Sequence, residues 1–200
     1  MEEGFAKCVE NKKGKNNVYR LIDFVAAFFG LILAFPIFIV VYVIGLFDTG
    51  SPLFFQKRVG MYKKPFTLVK FRTMSVETKS VASHLASTAS ITKLGAFLRK
   101  TKLDELPQLW NVLLGDMSLV GPRPNLFNQE ELITARSAKA IYDVRPGITG
   151  LAQIQNIDMS TPAKLARTDA IMIKRMSLKN YFLYIIKTVT GSGAGDAVKS

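Results

Sequence analysis

The run Arg99-Lys100-Thr101-Lys102-Leu103-Asp104-Glu105-Leu106-Pro107-Gln108 sets two adjacent carboxylates inside a cationic segment. Proline is tolerated in the first turn of a helix but not in its interior, so Pro107 places Asp104 and Glu105 at a helix N-terminus, where the dipole favours ionised carboxylates. An ionised Asp104 is a candidate nucleophile or Mg2+ ligand. The plainer role stays open too, with Asp104 capping the helix and Glu105 pairing with a lysine. Three further loops carry groups suited to phosphate: Lys70-Phe71-Arg72-Thr73-Met74, Gly121-Pro122-Arg123-Pro124 and Arg145-Pro146-Gly147-Ile148-Thr149-Gly150. Each sets a guanidinium on or beside constrained backbone. Arginine offers forked donors that match phosphate oxygens, and glycine lets main-chain N–H groups approach an anion closely. Singly, each loop reads equally well as a rigid turn or a strand edge; their concurrence points to a pyrophosphate substrate.

The elements that must position these groups are short. Leu53 to Val59 and Phe66 to Phe71 are β-prone runs separated by Gly60 and Lys63-Lys64-Pro65, which predicts a hairpin. Residues 75–92 are rich in Ser, Thr and Ala and read as a mobile loop, with His84 exposed in it. Ile91 to Arg99 and Leu103 to Leu114 have helical apolar spacing and meet at Lys100-Thr101-Lys102, with Gly115 as a stop. Trp110 shares the apolar face of Leu106 and Leu113 and is expected to pack there rather than stack on a base. Asp116 reads as a turn cap and a weak metal candidate. Residues 129–142 look helical, and Arg145 to Gly150 looks irregular. Leu178 to Val189 repeats apolar residues on one wide face flanked by Lys174, Arg175, Lys179 and Lys187, which suits either an interfacial helix or one packed on a core.

A chain of 200 residues with 48% hydrophobic content is large enough for one core, and its 27 Lys+Arg against 15 Asp+Glu give a net charge of +12. Such charge attracts polyanions, but the mean hydropathy of +0.19 argues for a membrane surface with anionic lipids rather than nucleic acid. A single cysteine, Cys8, excludes a disulfide framework, and one histidine excludes a His/Cys metal cluster. Leu21 to Phe47 is an apolar run long enough to cross a hydrocarbon core, interrupted by Asp23 and divided by Pro36. Basic residues flank it on both sides: Lys7, Lys12, Lys13, Lys15 and Arg20 before, Lys57, Arg58, Lys63, Lys64, Lys70 and Arg72 after. By the positive-inside rule both ends are cytoplasmic, which a helix broken at Pro36 satisfies as a re-entrant hairpin; a kinked single-pass helix is the alternative.

Taken together, KFRTM, LRKTKLDELPQLWNVLLGDMSLVGPRP and DVRPGITGLAQI, placed after a proline-broken apolar segment, resemble the bacterial sugar transferases, the monotopic phosphoglycosyl transferases. The resemblance runs from about Tyr19 to Val189 and is closest to the small members that consist of the catalytic core. It implies transfer of a sugar-1-phosphate from a UDP-sugar to a polyprenol phosphate with release of UMP, dependence on Mg2+, and a monotopic position at the cytoplasmic face of the bacterial inner membrane. It also implies Asp104 as a nucleophile that carries the phosphosugar and binds the metal, with Glu105 as its partner. Arg99, Arg123 and Arg145 match the family's phosphate- or uridine-binding arginines, and Lys70 and Arg72 match an element near the site. Two departures are local. Phe35 stands where many relatives have Ser before the proline, and Ile154-Gln155-Asn156-Ile157-Asp158-Met159 replaces a more familiar pattern, leaving the sugar open. The expected architecture is α+β and mainly α: a basic segment (1–20), a re-entrant helix-break-helix (21–47), a catalytic domain with a β-hairpin and interfacial amphipathic helices (48–190), and a flexible tail (191–200). A homodimer is left open. The rival functions are a membrane-bound Mg2+-dependent phosphohydrolase using the same Asp104, and a non-enzymatic basic protein that binds anionic lipid.

Overall fold

The structure, a computed structural model, describes residues 2–78 and 90–191, with side chains from Asn17 onward. Cys8, His84, most of the Ser/Thr-rich loop and the tail beyond Gly191 lie outside the described side chains. The apolar run belongs to a helix, α1 (Glu2–Thr49), and Asn17–Thr49 is long and apolar enough to cross a membrane, with a mean hydropathy of 2.8 over an 18-residue stretch of it. Helical structure continues through Pro36, the position at which the sequence places the change of direction. A proline removes one backbone donor, and here the turns on either side remain helical.

One stripe of α1 faces the rest of the protein. Asp23, Ala27, Ala34, Val41 and Gly45 are buried at helical spacing, and Gly30 and Phe38 lie on the same side. Small residues let α1 approach closely: a Cβ on Gly30 would meet Leu109 Cδ1 at 3.2 Å. The remaining circumference is apolar and exposed, with Leu21, Phe24, Phe28, Phe29, Leu33, Phe35, Val40 and Phe47 among its side chains. An apolar surface of this extent on one helix is suited to lipid. Two polar groups fix the helix's register. Arg20 donates from Nη1 to the Val112 carbonyl at 2.5 Å and from Nη2 to the Leu113 carbonyl at 2.8 Å. Asp23 Oδ1 accepts from the Leu119 N–H at 2.8 Å and from the Tyr181 hydroxyl.

The body beneath α1 begins with a hairpin, β1 (Leu53–Val59) and β2 (Pro65–Phe71), antiparallel with Leu53 opposite Phe71 and Val59 opposite Pro65. Helix α2 (Lys93–Thr101) starts at Thr92, whose hydroxyl accepts from the Gly95 N–H at 2.9 Å, and ends at Lys102 in the left-handed region. A single 3-10 turn, Leu103–Glu105, separates it from α3 (Gln108–Leu114), which stops at Gly115 with φ +95°. Strand β3 (Ser118–Val120) follows, then α4 (Glu130–Ser137), β4 (Gly147–Thr149), α5 (Leu151–Ile154), α6 (Pro162–Lys174) and α7 (Leu178–Val189). β3 and β4 pair in parallel, Ser118 with Gly147 and Val120 with Thr149. Leu68, Val112 and Met117 close on Ala27; Phe71 and Leu98 close on Val41; Val120, Met172, Tyr181 and Tyr184 form a third cluster against Tyr19 and Ile22.

The hairpin and α7 stand where the sequence places them. Three expectations change, and one element is new. The helix expected over Leu103–Leu114 is split by the 3-10 turn, because Pro107 lacks the N–H that a continuous helix would use. That expected over 129–142 ends at Ser137 and is followed by a separate 3-10 turn, Ile141–Asp143. The loop Arg145–Gly150 contains β4, and 162–174, for which the sequence suggests no element, is helix α6. α7 combines both readings of its pattern: Tyr181 and Tyr184 are in the core, while Phe182, Ile186 and Val189 are exposed.

Candidate active site

The turn between α2 and α3 carries Asp104 and Glu105, and both are buried, 3% and 8% exposed. Lys102 initiates the turn with φ +59°, and its carbonyl accepts from the Glu105 N–H at 3.2 Å. Burial of two carboxylates demands partners. Glu105 Oε1 lies 3.1 Å from Arg123 Nη2 and 3.8 Å from Lys70 Nζ, so Glu105 joins the end of β2 to the Gly121–Pro124 loop. Burial pushes the Lys102 ammonium below the usual lysine range; Glu105 opposes the shift and Arg123 adds to it. Beyond the dyad, Asn111 fixes α3 to β2, donating from Nδ2 to the Thr67 carbonyl at 2.8 Å and accepting from the Val69 N–H at 3.1 Å. Gln108, one turn past Asp104, is buried with no hydrogen-bond partner for its Nε2 among the described residues.

Arg123 is held through its own backbone. Arg136 Nη1 donates to the Arg123 carbonyl at 2.8 Å and to Asn125 Oδ1 at 3.0 Å, while its Nε and Nη2 reach Asp169 Oδ2 at 3.1 and 2.8 Å. Arg136 and Asp169 are fully buried, so α4 and α6 support the loop through an ion pair with no solvent around it. From the other side Arg58 Nη1 donates to the Pro124 carbonyl at 3.0 Å, and Tyr142 donates to Asn125 Oδ1 at 3.0 Å. Burial also raises the Tyr142 hydroxyl above the usual tyrosine range.

The glycines of the two loops act differently from the anion cradle that the sequence suggests. The Gly121 N–H donates to the Thr149 carbonyl at 2.8 Å, and the Gly147 N–H donates to the Pro122 carbonyl at 2.9 Å. A Cβ on Gly147 would stand 2.0 Å from Gly121 N, and one on Gly121 would stand 2.7 Å from Gly147 N. Their task is the close approach of two backbones, so GPRP and PGITG form one structural unit that presents Arg123.

The remaining expected residues separate into groups. Lys70, Arg123, Asp104 and Glu105 come together. Arg99, in the last turn of α2, donates from Nε to Thr73 Oγ1 at 2.8 Å. Arg72 turns to the start of β1, donating from Nε to the Ser51 carbonyl at 2.8 Å and lying 5.5 Å over the Phe54 ring. Arg145 donates from Nε to the Gly115 carbonyl at 2.8 Å, at the C-terminus of α3. Asp116 Oδ2 is 3.5 Å from Asn111 Nδ2, and Trp110 is half-exposed beside exposed Leu114. Lys102, Gln108, Arg136 and Asp169 were not singled out by the sequence. Lys102 resembles any surface lysine until its left-handed backbone is seen, and Asp169 sits with Thr168 on the buried face of α6. Among the described residues no group of three or more His, Cys, Asp or Glu side chains could hold a metal ion.

The family model described as bacterial sugar transferase matches residues 14–193. The chain is 48% identical over 136 residues to a Bacillus subtilis protein named uncharacterized sugar transferase EpsL, covering 68% of this chain and 67% of that one. It is 33% identical over 189 residues to the exopolysaccharide production protein ExoY of Rhizobium meliloti, covering 85% and 83%. It is 42% identical over 147 residues to the UDP-glucose:undecaprenyl-phosphate glucose-1-phosphate transferase of Klebsiella pneumoniae, covering 70% of this chain and 32% of that one. Several of the relatives it matches are thus much longer, and the chain spans about two fifths or less of their length. With a match over nearly all of its length, and with the Asp104–Glu105 turn, the GPRP–PGITG unit and the apolar α1 joined in one body, the chain belongs to the bacterial sugar transferase family.

Proposed function

We propose that this protein is a phosphoglycosyl transferase that moves a sugar-1-phosphate from a UDP-sugar to a polyprenol phosphate such as undecaprenyl phosphate, releasing UMP, as the first membrane step of glycoconjugate assembly. The observation that carries the reading is the buried Asp104–Glu105 turn, bounded by Lys70, Lys102 and Arg123 and mounted on a lipid-suited helix. A carboxylate oxygen of Asp104 attacks the sugar-bearing phosphorus, and the bond to the bridging oxygen breaks, so that UMP leaves with that oxygen and its electron pair. A phosphate oxygen of the polyprenol phosphate then attacks the same phosphorus and returns Asp104 to its carboxylate. Lys70 and Arg123 neutralise phosphate charge and, through Glu105, hold the turn in place. The donor set suits Mg2+, which takes one or two carboxylates and completes its shell with phosphate oxygens and water. Asp104 would hold such an ion, which would supply charge neutralisation of the diphosphate.

Splitting the reaction suits substrates of unlike solubility, since one shallow site at the interface serves both in turn. Incubating the protein with UDP-sugar labelled in the sugar, with and without polyprenol phosphate, is expected to give lipid-linked label only in the presence of acceptor. Free labelled sugar phosphate in both samples would instead identify a phosphohydrolase. Indifference to UDP-sugar would leave a lipid-binding protein.

The proposal includes a re-entrant α1 with both ends at the cytoplasmic face of the inner membrane. What supports it is that the same body meets α1 on both sides of Pro36, at Arg20, Asp23, Ala27 and Gly30 before it and at Phe38 and Val41 after it. A helix standing upright across the bilayer would meet a cytoplasmic domain near one end only. Once Cys8 is replaced, cysteines introduced by Glu10→Cys and Lys57→Cys are expected to react only with a reagent on the cytoplasmic side. Reaction at position 10 from outside would show a single-pass helix.

A further inference from the structure

The side chain of Lys102 leaves the catalytic turn and crosses to the other end of the sequence, where Nζ donates to the Thr188 carbonyl at 3.0 Å. Thr188 lies in the last turn of α7, where a cation is favoured by the dipole, and its carbonyl also accepts from the Gly191 N–H at 3.2 Å. The Thr188 hydroxyl also meets the Thr149 hydroxyl on β4. The Thr149 carbonyl in turn accepts from Gly121, at the start of the loop that presents Arg123. The C-terminal turn of α7 therefore touches both halves of the site, the Asp104–Glu105 turn through Lys102 and the GPRP–PGITG unit through Thr149. The same helix has Phe182, Ile186 and Val189 exposed on its outer face and is fixed to α1 through Tyr181 and Asp23. Lys102 keeps a left-handed backbone, φ +59°, which costs a residue with a Cβ on the order of 1 kcal/mol. Its side chain is thus aimed at α7 from a strained position directly before the dyad.

We propose that Lys102 is a positioning residue that locks the C-terminal turn of α7 to the catalytic turn, so that the seating of α7 at the membrane surface sets the geometry of Asp104 and Glu105. The inference rests on the proposed transferase reaction for its kinetic test and on α7 alone for its structural one. In the full chain reconstituted in lipid nanodiscs, Lys102→Met is expected to lower kcat for UMP release by roughly tenfold to a hundredfold, the range for a small misplacement of reacting groups. KM for UDP-sugar should stay within about threefold, as expected for an effect on the transition state rather than on ground-state binding. Lys102→Arg, which keeps a donor and a charge, should recover most of the rate; Lys102→Gln is the second neutral variant should the methionine fail to fold. In the neutral variants the amides of residues 184–190 should exchange hydrogen faster than in the parent, and in Lys102→Arg they should not. A raised KM with unchanged kcat would make Lys102 a substrate-binding cation and overturn the proposal. Unchanged kinetics, or unchanged exchange in α7, would overturn it as well. If the parent releases no UMP from any UDP-sugar, the transferase reading fails, and the exchange measurement still decides whether Lys102 holds α7.

Discussion

Asp104→Asn is expected to lower UMP release by on the order of 10³-fold or more, with or without polyprenol phosphate. The amide attacks phosphorus poorly and no longer offers an anionic oxygen to Mg2+. The substitution is nearly isosteric at a site only 3% exposed, so the fold should survive and the loss should be chemical. Glu105→Gln differs in kind. It weakens the contacts to Lys70 and Arg123 without removing the attacking oxygen, so turnover should fall while a phosphosugar adduct on Asp104 becomes visible by intact-mass analysis. Substantial turnover in Asp104→Asn would remove Asp104 from the nucleophile's role. An adduct on another residue would reassign it.

Asp169→Ala is expected to cost about 3–5 kcal/mol of stability, read as a lowered midpoint of thermal unfolding in detergent, because it leaves the fully buried Arg136 without its counter-ion. The damage should reach the site, since Arg136 also holds the Arg123 carbonyl and Asn125. The double variant Arg136→Met/Asp169→Leu should recover much of that stability, as apolar replacements of buried pairs often do. It should still be slow in UMP release, because the Arg123 carbonyl has lost its donor. A single variant as stable as the parent would mean that the pair bears no load.

Much of this was written in local pattern. The hairpin reads from two β-prone runs around Gly60 and Pro65, and α7 from its apolar spacing. Pro107 marks where α3 begins, but the separate 3-10 turn that carries the dyad is not legible from it, since the pattern reads as one helix from Leu103. α6 was hidden because its inward stripe contains Thr168 and Asp169, and an acidic residue marks a solvent face unless its partner is known. That partner, Arg136, lies 33 residues away on α4. β4 was hidden because three residues gain strand geometry only from β3, and pairing between separated segments leaves no periodicity to read. Arg20 was counted as topological charge, yet it caps α3. In each case the missing information was a contact between distant segments.

The polar groups of α1 complete the folded body. Asp23 satisfies the Leu119 N–H and the Tyr181 hydroxyl, Arg20 satisfies the last carbonyls of α3, and Ala27 closes a cluster with Leu68, Val112 and Met117. Cutting the chain after Thr49 would bare that cluster and strand those donors and acceptors, and a generic hydrophobic leader grafted in its place would restore neither. α1 is therefore a wall of the folded body and not a tether from which that body hangs.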